Sequence, residues 1–345
     1  MSDRNLKIIV LVAIVLAIAA VAVLLTQPKD QRKTVIVYTS VDQFFSEPIF
    51  RAFENDTGIR VMPVYDVEAT KTTGLVNRLI AEKARPQADV FWSGEFSQTI
   101  VLKNKSILAQ YPSPSANDIP ARFKDSEGYW TGFGGRARIF IVNTDLLTPS
   151  QYPHSVYDML DDKYPGKTVG IPYPMFGTSA THAAALYSYL GKEKAHAFYS
   201  SLSNRSVRVV DGNSVVRDLV ADGQLGFGLT DTDDACGAIE SGKTVTIVIP
   251  DQGEGEMGTL VIPNTVALIA GSPHPGEAKV FMDYLLDRKR ESDMVASGWI
   301  QIPVRDIPPS PCINSTGIKT IPVTYQDTYN ALQPAQADLI KIFIR

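Results

Sequence analysis

Short β-branched runs alternate with amphipathic segments over residues 34–92, and this order leaves few folds open to the chain. It predicts strands at Thr34–Ser40, Ile59–Tyr65 and Asp89–Trp92, with helices at Pro48–Thr57 and Ala69–Lys83 between them. Strands that alternate with helices form a parallel α/β sheet. Ligands of such open sheets bind beyond the carboxyl ends of the strands.

The alternation restarts in the second half of the chain. Further strands are predicted at Arg138–Asn143, Thr168–Ile171, Val207–Val210, Gly226–Leu229, Val245–Pro250 and within Gly258–Ile269, and further helices at Thr178–Leu190, Val215–Ala221 and Asp233–Glu240. Two α/β lobes joined by extended crossings near 136–143 and 255–265 are the simplest architecture, with the ligand cleft between them.

This architecture assigns most of the chain to two lobes. We expect residues 34–135 with about 258–305 to form one lobe, and residues 136–257 with about 306–345 to form the other. Residues 1–33 precede both lobes as an N-terminal segment.

That segment predicts export. Ile8–Leu25 is an unbroken apolar run of eighteen residues, preceded by Arg4 and Lys7. The run is long for the apolar core of a signal peptide and close to the length that spans a bilayer. An uncleaved transmembrane anchor and a cleaved signal are both open, and either places the rest of the chain outside the cytoplasmic membrane. We therefore expect a periplasmic or cell-surface protein.

Charge and cysteine content exclude other classes. The formal net charge of -4 gives no basic field for a nucleic acid. Two cysteines, Cys236 and Cys312, are too few for a disulfide scaffold. In an oxidising compartment they either pair or remain two separate buried residues.

Five segments of the sequence carry a resemblance to a known family. They are VIVYTSVDQFFSEPIFRAFENDTGIRV (35–61), RPQADVFWSGE (85–95), GRARIFIVNTDLL (135–147), GQLGFGLTDTDDA (223–235) and SPHPGEAKVFMDYLL (272–286). With the order of elements, they resemble the two-lobed extracellular solute-binding proteins of ABC importers, in the class with two crossing strands. Within that class the chain is most similar to the ferric-iron-binding branch.

The resemblance implies a metal site, with one departure. The family's first ligand falls on Asp42, and its acidic ligand after the third strand falls on Glu95. The family's adjacent tyrosine pair falls near Thr232 and Asp233, so both tyrosines are missing. A group of acids, Asp231, Asp233 and Asp234, stands there instead.

These carboxylates suit a hard cation, and they suit a cationic organic solute equally well. Helix capping is the alternative role for Asp42, Glu95 and the acidic group. Tyr38 either contacts the ligand or belongs to the core.

An anion subsite is implied beside the metal. Gly177, Thr178 and Ser179 open a predicted helix, whose free N–H groups attract anions. Arg136 and Arg138 lie on a predicted crossing strand and could pair with the anion or with the carboxylates. An ordinary helix cap and a solvated arginine pair are the alternatives.

The resemblance implies a protein that captures its solute by hinge closure and delivers it to a permease with an ATPase subunit. Fe3+ with a small anion is the expected cargo, and a phosphonate, a polyamine and a thiamine-like solute are the alternatives. An exported enzyme or sensor domain is the competing class. The sequence contains no GxSxG, HExxH or CxxC motif, so we expect no catalytic activity.

Overall fold

A computed structural model describes residues 32–66 and 74–344. Its strands are β1 (Thr34–Thr39), β2 (Arg60–Tyr65), β3 (Val90–Ser93), β4 (Leu108–Ala109), β5 (Thr131–Asn143), β6 (Val169–Pro172), β7 (Arg208–Val210), β8 (Phe227–Asp231), β9 (Val245–Val248) and β10 (Val261–Ile269). Its α-helices are α1 (Gln43–Thr57), α2 (Gly74–Ala81), α3 (Ser97–Asn104), α4 (Gly177–Leu190), α5 (Lys192–Asn204), α6 (Asn213–Ala221), α7 (Thr232–Glu240), α8 (Pro275–Leu285), α9 (Arg288–Ala296) and α10 (Tyr325–Phe343). This order confirms the predicted α/β class.

The predicted anchor or signal run, Ile8–Leu25, lies outside the described residues. Within the part of the chain that the structure describes, no helix combines the length and the apolar character needed to cross a membrane.

The strands form one sheet in the order β2-β1-β3-β10-β5-β8-β6-β7, with β4 paired to β10 and β9 paired to β5. The long strand β5 joins the two ends of this sheet. Its first half, through Ala137, pairs with β10, whereas its second half, from Arg138, pairs with β8 and β9. One continuous strand therefore crosses between the two halves of the fold.

A second extended segment crosses beside it. The amide of Arg138 donates to the carbonyl of Leu260 over 3.0 Å, and the Thr259 hydroxyl donates to the carbonyl of Arg138. Thr259 also bridges to Thr320 near the start of the C-terminal segment. Extended chain is thus present at both predicted crossings, while the lobe boundaries drawn from the sequence stay a prediction.

The sequence of β5 explains why it lies at the centre. Ile139 and Ile141 pack into one hydrophobic cluster, and Phe140 and Val142 pack into another. Alternate side chains of a strand point to opposite faces of the sheet, so both faces of β5 are covered. Each fully buried side chain of this size contributes about 1.5–3 kcal/mol.

Helix α1 starts five residues before the predicted start at Pro48. The carbonyl of Asp42 accepts from the amides of Phe45 and Ser46, each over 3.0 Å, and so closes the first turn. The helix continues through Pro48. Five α-helices have no counterpart among the predicted helix ranges, namely α3, α5, α8, α9 and α10.

Cys236 and Cys312 form a disulfide, with 5.8 Å between their Cα atoms. The bond ties α7 to the segment that precedes α10, and this resolves the pairing that the sequence left open.

Candidate functional site

The candidate site is built where β5 and β8 face each other. Arg138 and Asp231 are direct partners in the antiparallel ladder, so their side chains leave the sheet on the same face. They form an ion pair of 2.7 Å between Nη1 and Oδ1, and their side chains are 0% and 1% exposed. A buried pair of this kind needs further hydrogen bonds to offset its desolvation.

Two helix starts supply those bonds. The Thr178 hydroxyl, on α4, donates to Asp231 Oδ2 over 2.6 Å, and the Asn213 Nδ2, on α6, donates to the same oxygen over 2.9 Å. Arg138 Nη1 also donates to Asn213 Oδ1 over 2.9 Å. Asp231 therefore fixes the first turns of α4 and α6 against the end of β8.

A second ion pair lies closer to solvent. Arg136 Nη1 is 2.9 Å from Asp233 Oδ2, with side chains 25% and 27% exposed. Oδ1 of Asp233 has no hydrogen-bond partner among the described residues. Burial is the main cause that raises the pKa of Asp233, Arg136 opposes it, and the Asp231 carboxylate adds to the rise. A β-carbon at Gly94 would lie 3.7 Å from Arg136 Nη2, so the guanidinium also approaches the loop after β3.

Asp234 completes the acidic group. The Thr230 hydroxyl donates to its Oδ2 over 3.2 Å, and Arg217 Nη1 lies 3.6 Å from its Oδ1. Burial, then the charges of Asp233 and Asp231, raise the pKa of Asp234 to about 8. Asp231, Asp233 and Asp234 each offer an oxygen within 4.8 Å of the others, and each of them also has an arginine partner.

The other predicted ligands take different positions. Asp42 is exposed at the start of α1, and its charge acts on Arg136. Glu95 is buried and caps α3, accepting from the amides of Ser97 over 2.7 Å and Gln98 over 2.9 Å. Capping, one of the two roles expected for Glu95, is therefore observed.

Tyr38 is not brought to the acidic group. Its ring is buried in the core, and its hydroxyl donates to Glu82 Oε2 over 3.0 Å. Burial, followed by the hydrogen bond to Glu82, raises the pKa of Tyr38 to about 12. Of the two roles that the sequence left open for Tyr38, the core position is the one observed.

The start of α4 lies against Asp231 through the Thr178 hydroxyl. Gly177 is the first residue of the helix and has a φ of 53°, a conformation that favours glycine. Thr178 and Ser179 follow in the first turn, and Ser179 Oγ lies 3.5 Å from Asn213 Oδ1. One turn further, burial and then the charge of Arg138 lower the pKa of His182 to about 3, so this imidazole is neutral at physiological pH.

The sequence interpretation missed two participants, Asn213 and Arg217. Asn213 opens α6, and two residues separate it from the end of β7. A polar residue between a strand and a helix is the signal that marks such a position. Arg217 lies one turn later and carries no comparable signal.

Comparisons with known proteins agree with this architecture. A family model described as bacterial extracellular solute-binding protein matches residues 49–307. A periplasmic protein of Salmonella typhimurium, proposed to bind 2-aminoethylphosphonate, is 27% identical over 306 residues, covering 86% of each chain.

Two solved structures have a similar fold. The apo ferric ion-binding protein A of Pasteurella haemolytica has a TM-score of 0.80 at 23% identity, covering 91% of this chain and 100% of the other. A periplasmic binding protein of Actinobacillus pleuropneumoniae, solved with exogenous fructose-6-phosphate, has a TM-score of 0.75 at 19% identity, covering 90% and 98%. The predicted two-lobed fold is confirmed, and the chain belongs to the bacterial extracellular solute-binding protein family.

Proposed function

We propose that this protein is the solute-binding component of an ABC importer and that it captures a small zwitterionic phosphonate, of the 2-aminoethylphosphonate class. One observation carries the choice of solute. The pair Arg136–Asp233 places a partly exposed cation beside a buried carboxylate oxygen, Oδ1 of Asp233, that has no partner among the described residues. A ligand with both charges satisfies both groups at once.

The anionic end of the ligand fits Arg136 and the start of α4. A guanidinium binds phosphonate oxygens through charge-assisted, frequently bidentate hydrogen bonds. The first amides of α4, at Gly177–Ser179, add donors at the positive end of the helix dipole.

The cationic end fits the acids. Asp233 keeps its buried Oδ1 without a partner among the described residues, and Asp233 and Asp234 each have a carboxylate oxygen within 4.8 Å of the other's. Asp42 adds a further carboxylate charge close enough to act on Arg136, whereas Asp234, with a pKa of about 8, offers a mainly protonated carboxyl at neutral pH. The Salmonella typhimurium relative, similar over 86% of this chain, is proposed to bind a ligand with this pair of charges.

Two exposed phenylalanines support an organic ligand. Phe44 is 82% exposed and lies two residues after Asp42, and Phe176 is 73% exposed and directly precedes Gly177. Exposed aromatic side chains beside polar groups are common in sites for small organic molecules.

Ferric iron with a bound anion is the second candidate. The close approach of three carboxylates favours it, as does the likeness to ferric-iron-binding structures. Against it, each of these carboxylates has an arginine partner, and Thr232 and Asp233 stand where the iron-binding branch has its tyrosine pair.

Calorimetry on the exported part of the chain tests the proposal. We expect saturable binding of 2-aminoethylphosphonate, and at least tenfold weaker binding of ethylphosphonate and ethylamine, which each lack one charge. Asp233→Asn and Arg136→Gln should each weaken binding by about 10- to 100-fold, since hydrogen bonds to charged groups contribute about 1.5–3 kcal/mol. The surface variant Asp222→Asn, which loses a pair with Lys243, is the matched control. Tight binding of Fe(III)–citrate with no response to the phosphonate would favour iron instead.

Export, non-catalytic capture and delivery to a permease with an ATPase subunit complete the proposal. The apolar run at residues 8–25 is the proposed export signal or anchor. Recovery of chemically unchanged ligand after release tests the non-catalytic role, and membrane fractionation of the full chain distinguishes an anchor from a cleaved signal.

A further inference from the structure

A small cavity lies beside the buried side chain of Arg138. Its lining includes Arg138, Ser179, His182 and Tyr199, together with apolar side chains such as Phe198. About 10 Å³ is open to the centre of a water-sized sphere, which is close to the space that one buried water or one ion of similar size needs.

Half of the buried Arg138 guanidinium, which borders this cavity, has no hydrogen-bond partner among the described residues. Both Arg138 Nη1 hydrogens have acceptors in Asp231 and Asn213, as described above. Nε and Nη2, which carry three further N–H donors, have no partner among the described residues, and the side chain is fully buried. An unpaired buried donor costs about 1–3 kcal/mol, and more for a charged group.

The cavity lining brings only neutral polar groups to the guanidinium, and no carboxylate belongs to it in the described part of the chain. His182 is neutral, so it adds no competing positive charge and offers one ring-nitrogen acceptor, while the hydroxyls of Ser179 and Tyr199 can donate or accept. None of these groups bonds to Nε or Nη2 of Arg138. A water molecule offers two lone pairs to three N–H donors, whereas a monatomic anion accepts from every side.

We propose that this cavity is a binding site for a single chloride ion, held by Nε and Nη2 of Arg138 with help from the hydroxyls of Ser179 and Tyr199. The ion completes the hydrogen bonding of the arginine that fixes Asp231. It stabilises the start of α4 without belonging to the proposed ligand site.

Bromide replacement tests the proposal without any transported ligand. Crystals of the exported chain soaked in sodium bromide should give an anomalous peak in this cavity, within hydrogen-bonding reach of Nε and Nη2 of Arg138. A water in this cavity with no anomalous signal, or bromide only at the surface, overturns the proposal.

Thermal unfolding provides a solution test. At constant ionic strength, chloride should raise Tm saturably by about 2–4 °C relative to gluconate. Tyr199→Phe should reduce the rise, and Tyr189→Phe, at a half-exposed tyrosine outside the cavity lining, should keep it. Equal Tm values in the two salts would contradict a chloride site.

Discussion

Arg138 and Asp231 face each other across the β5–β8 ladder and form a fully buried ion pair of 2.7 Å. Their pairing joins the strand that crosses between the two halves of the fold to the strand that carries the acidic group. The same carboxylate accepts from Thr178 and Asn213, so one residue fixes two helix starts. Both oxygens of Asp231 are bonded to protein groups, so Asp231 holds the site in place and is not free to bind a ligand.

Asp231→Asn should therefore destabilise the fold strongly. Removing one partner of a buried ion pair leaves the other charge uncompensated and costs about 3–5 kcal/mol. Urea denaturation followed by circular dichroism measures the loss in the free energy of unfolding. Asp222→Asn, which removes an exposed pair with Lys243, should change it by less than about 1 kcal/mol. Similar small losses in both variants would show that the buried pair is dispensable.

The sequence predicts the fold better than the site. Strand and helix alternation locates β1, β3, β8 and α7 to within two residues, because buried strands and capped helices leave periodic patterns. It does not predict α10, although this helix packs on α4 and α5.

Site residues are harder to predict because a carboxylate after a strand has two uses that look alike in sequence. Glu95 caps a helix, whereas Asp233 pairs with Arg136 and keeps one oxygen without a partner among the described residues. The pairing of Asp231 with Arg138 depends on strand register, which the sequence does not reveal. The pairings of Asp233 and Asp234 depend on how their helix packs against the strand of Arg136 and the helix of Arg217.

Asp234 should make the stability of the protein depend on pH. Its pKa is about 8 in the folded chain, because of burial and its acidic neighbours, against 3.8 for an ordinary aspartate. Between these values the folded chain holds a proton that the unfolded chain has lost, so stability falls as pH rises from about 4 to 8. Asp234→Asn cannot ionise, and its stability relative to wild type should increase steadily across this range.

The measurement is urea denaturation at pH 5, 6, 7 and 8 for both chains. The difference in unfolding free energy between Asp234→Asn and wild type should grow by close to, and not more than, about 1.4 kcal/mol per pH unit. Asp145→Asn, at an exposed aspartate, serves as the control. A difference between Asp234→Asn and wild type that stays constant with pH would show that this carboxyl is ionised throughout.

The disulfide should contribute substantially to stability. Cys236 and Cys312 are 76 residues apart in sequence, and a cross-link over a loop of this size stabilises a fold by about 2–5 kcal/mol. The double variant Cys236→Ser/Cys312→Ser should lose that amount under oxidising conditions. Reduction with dithiothreitol should lower the Tm of wild type and leave the double variant unchanged. A Tm of wild type that does not respond to reductant would contradict this contribution.

Gly135 is the position where a single methyl group should disturb the crossing. A β-carbon there would clash with the carbonyl oxygen of Ile262 and would lie 2.7 Å from the Cα of Pro263. Both are backbone atoms of β10, the strand that pairs with β5 at this point. Gly135 also pairs with Ile302, so the backbone is held from both sides. Gly135→Ala must separate β5 from β10, and such overpacking costs about 1–3 kcal/mol.

Because β5 is the strand that joins the two halves, this change should also weaken ligand binding without touching a ligand-facing side chain. Gly237→Ala is the matched control, since it lies inside α7 and a β-carbon there meets nothing within 4 Å. It should stabilise the fold by up to about 1 kcal/mol, the helix preference of alanine over glycine. Urea denaturation and calorimetry measure both effects. Wild-type stability in Gly135→Ala would mean that the two crossing strands can separate at no cost.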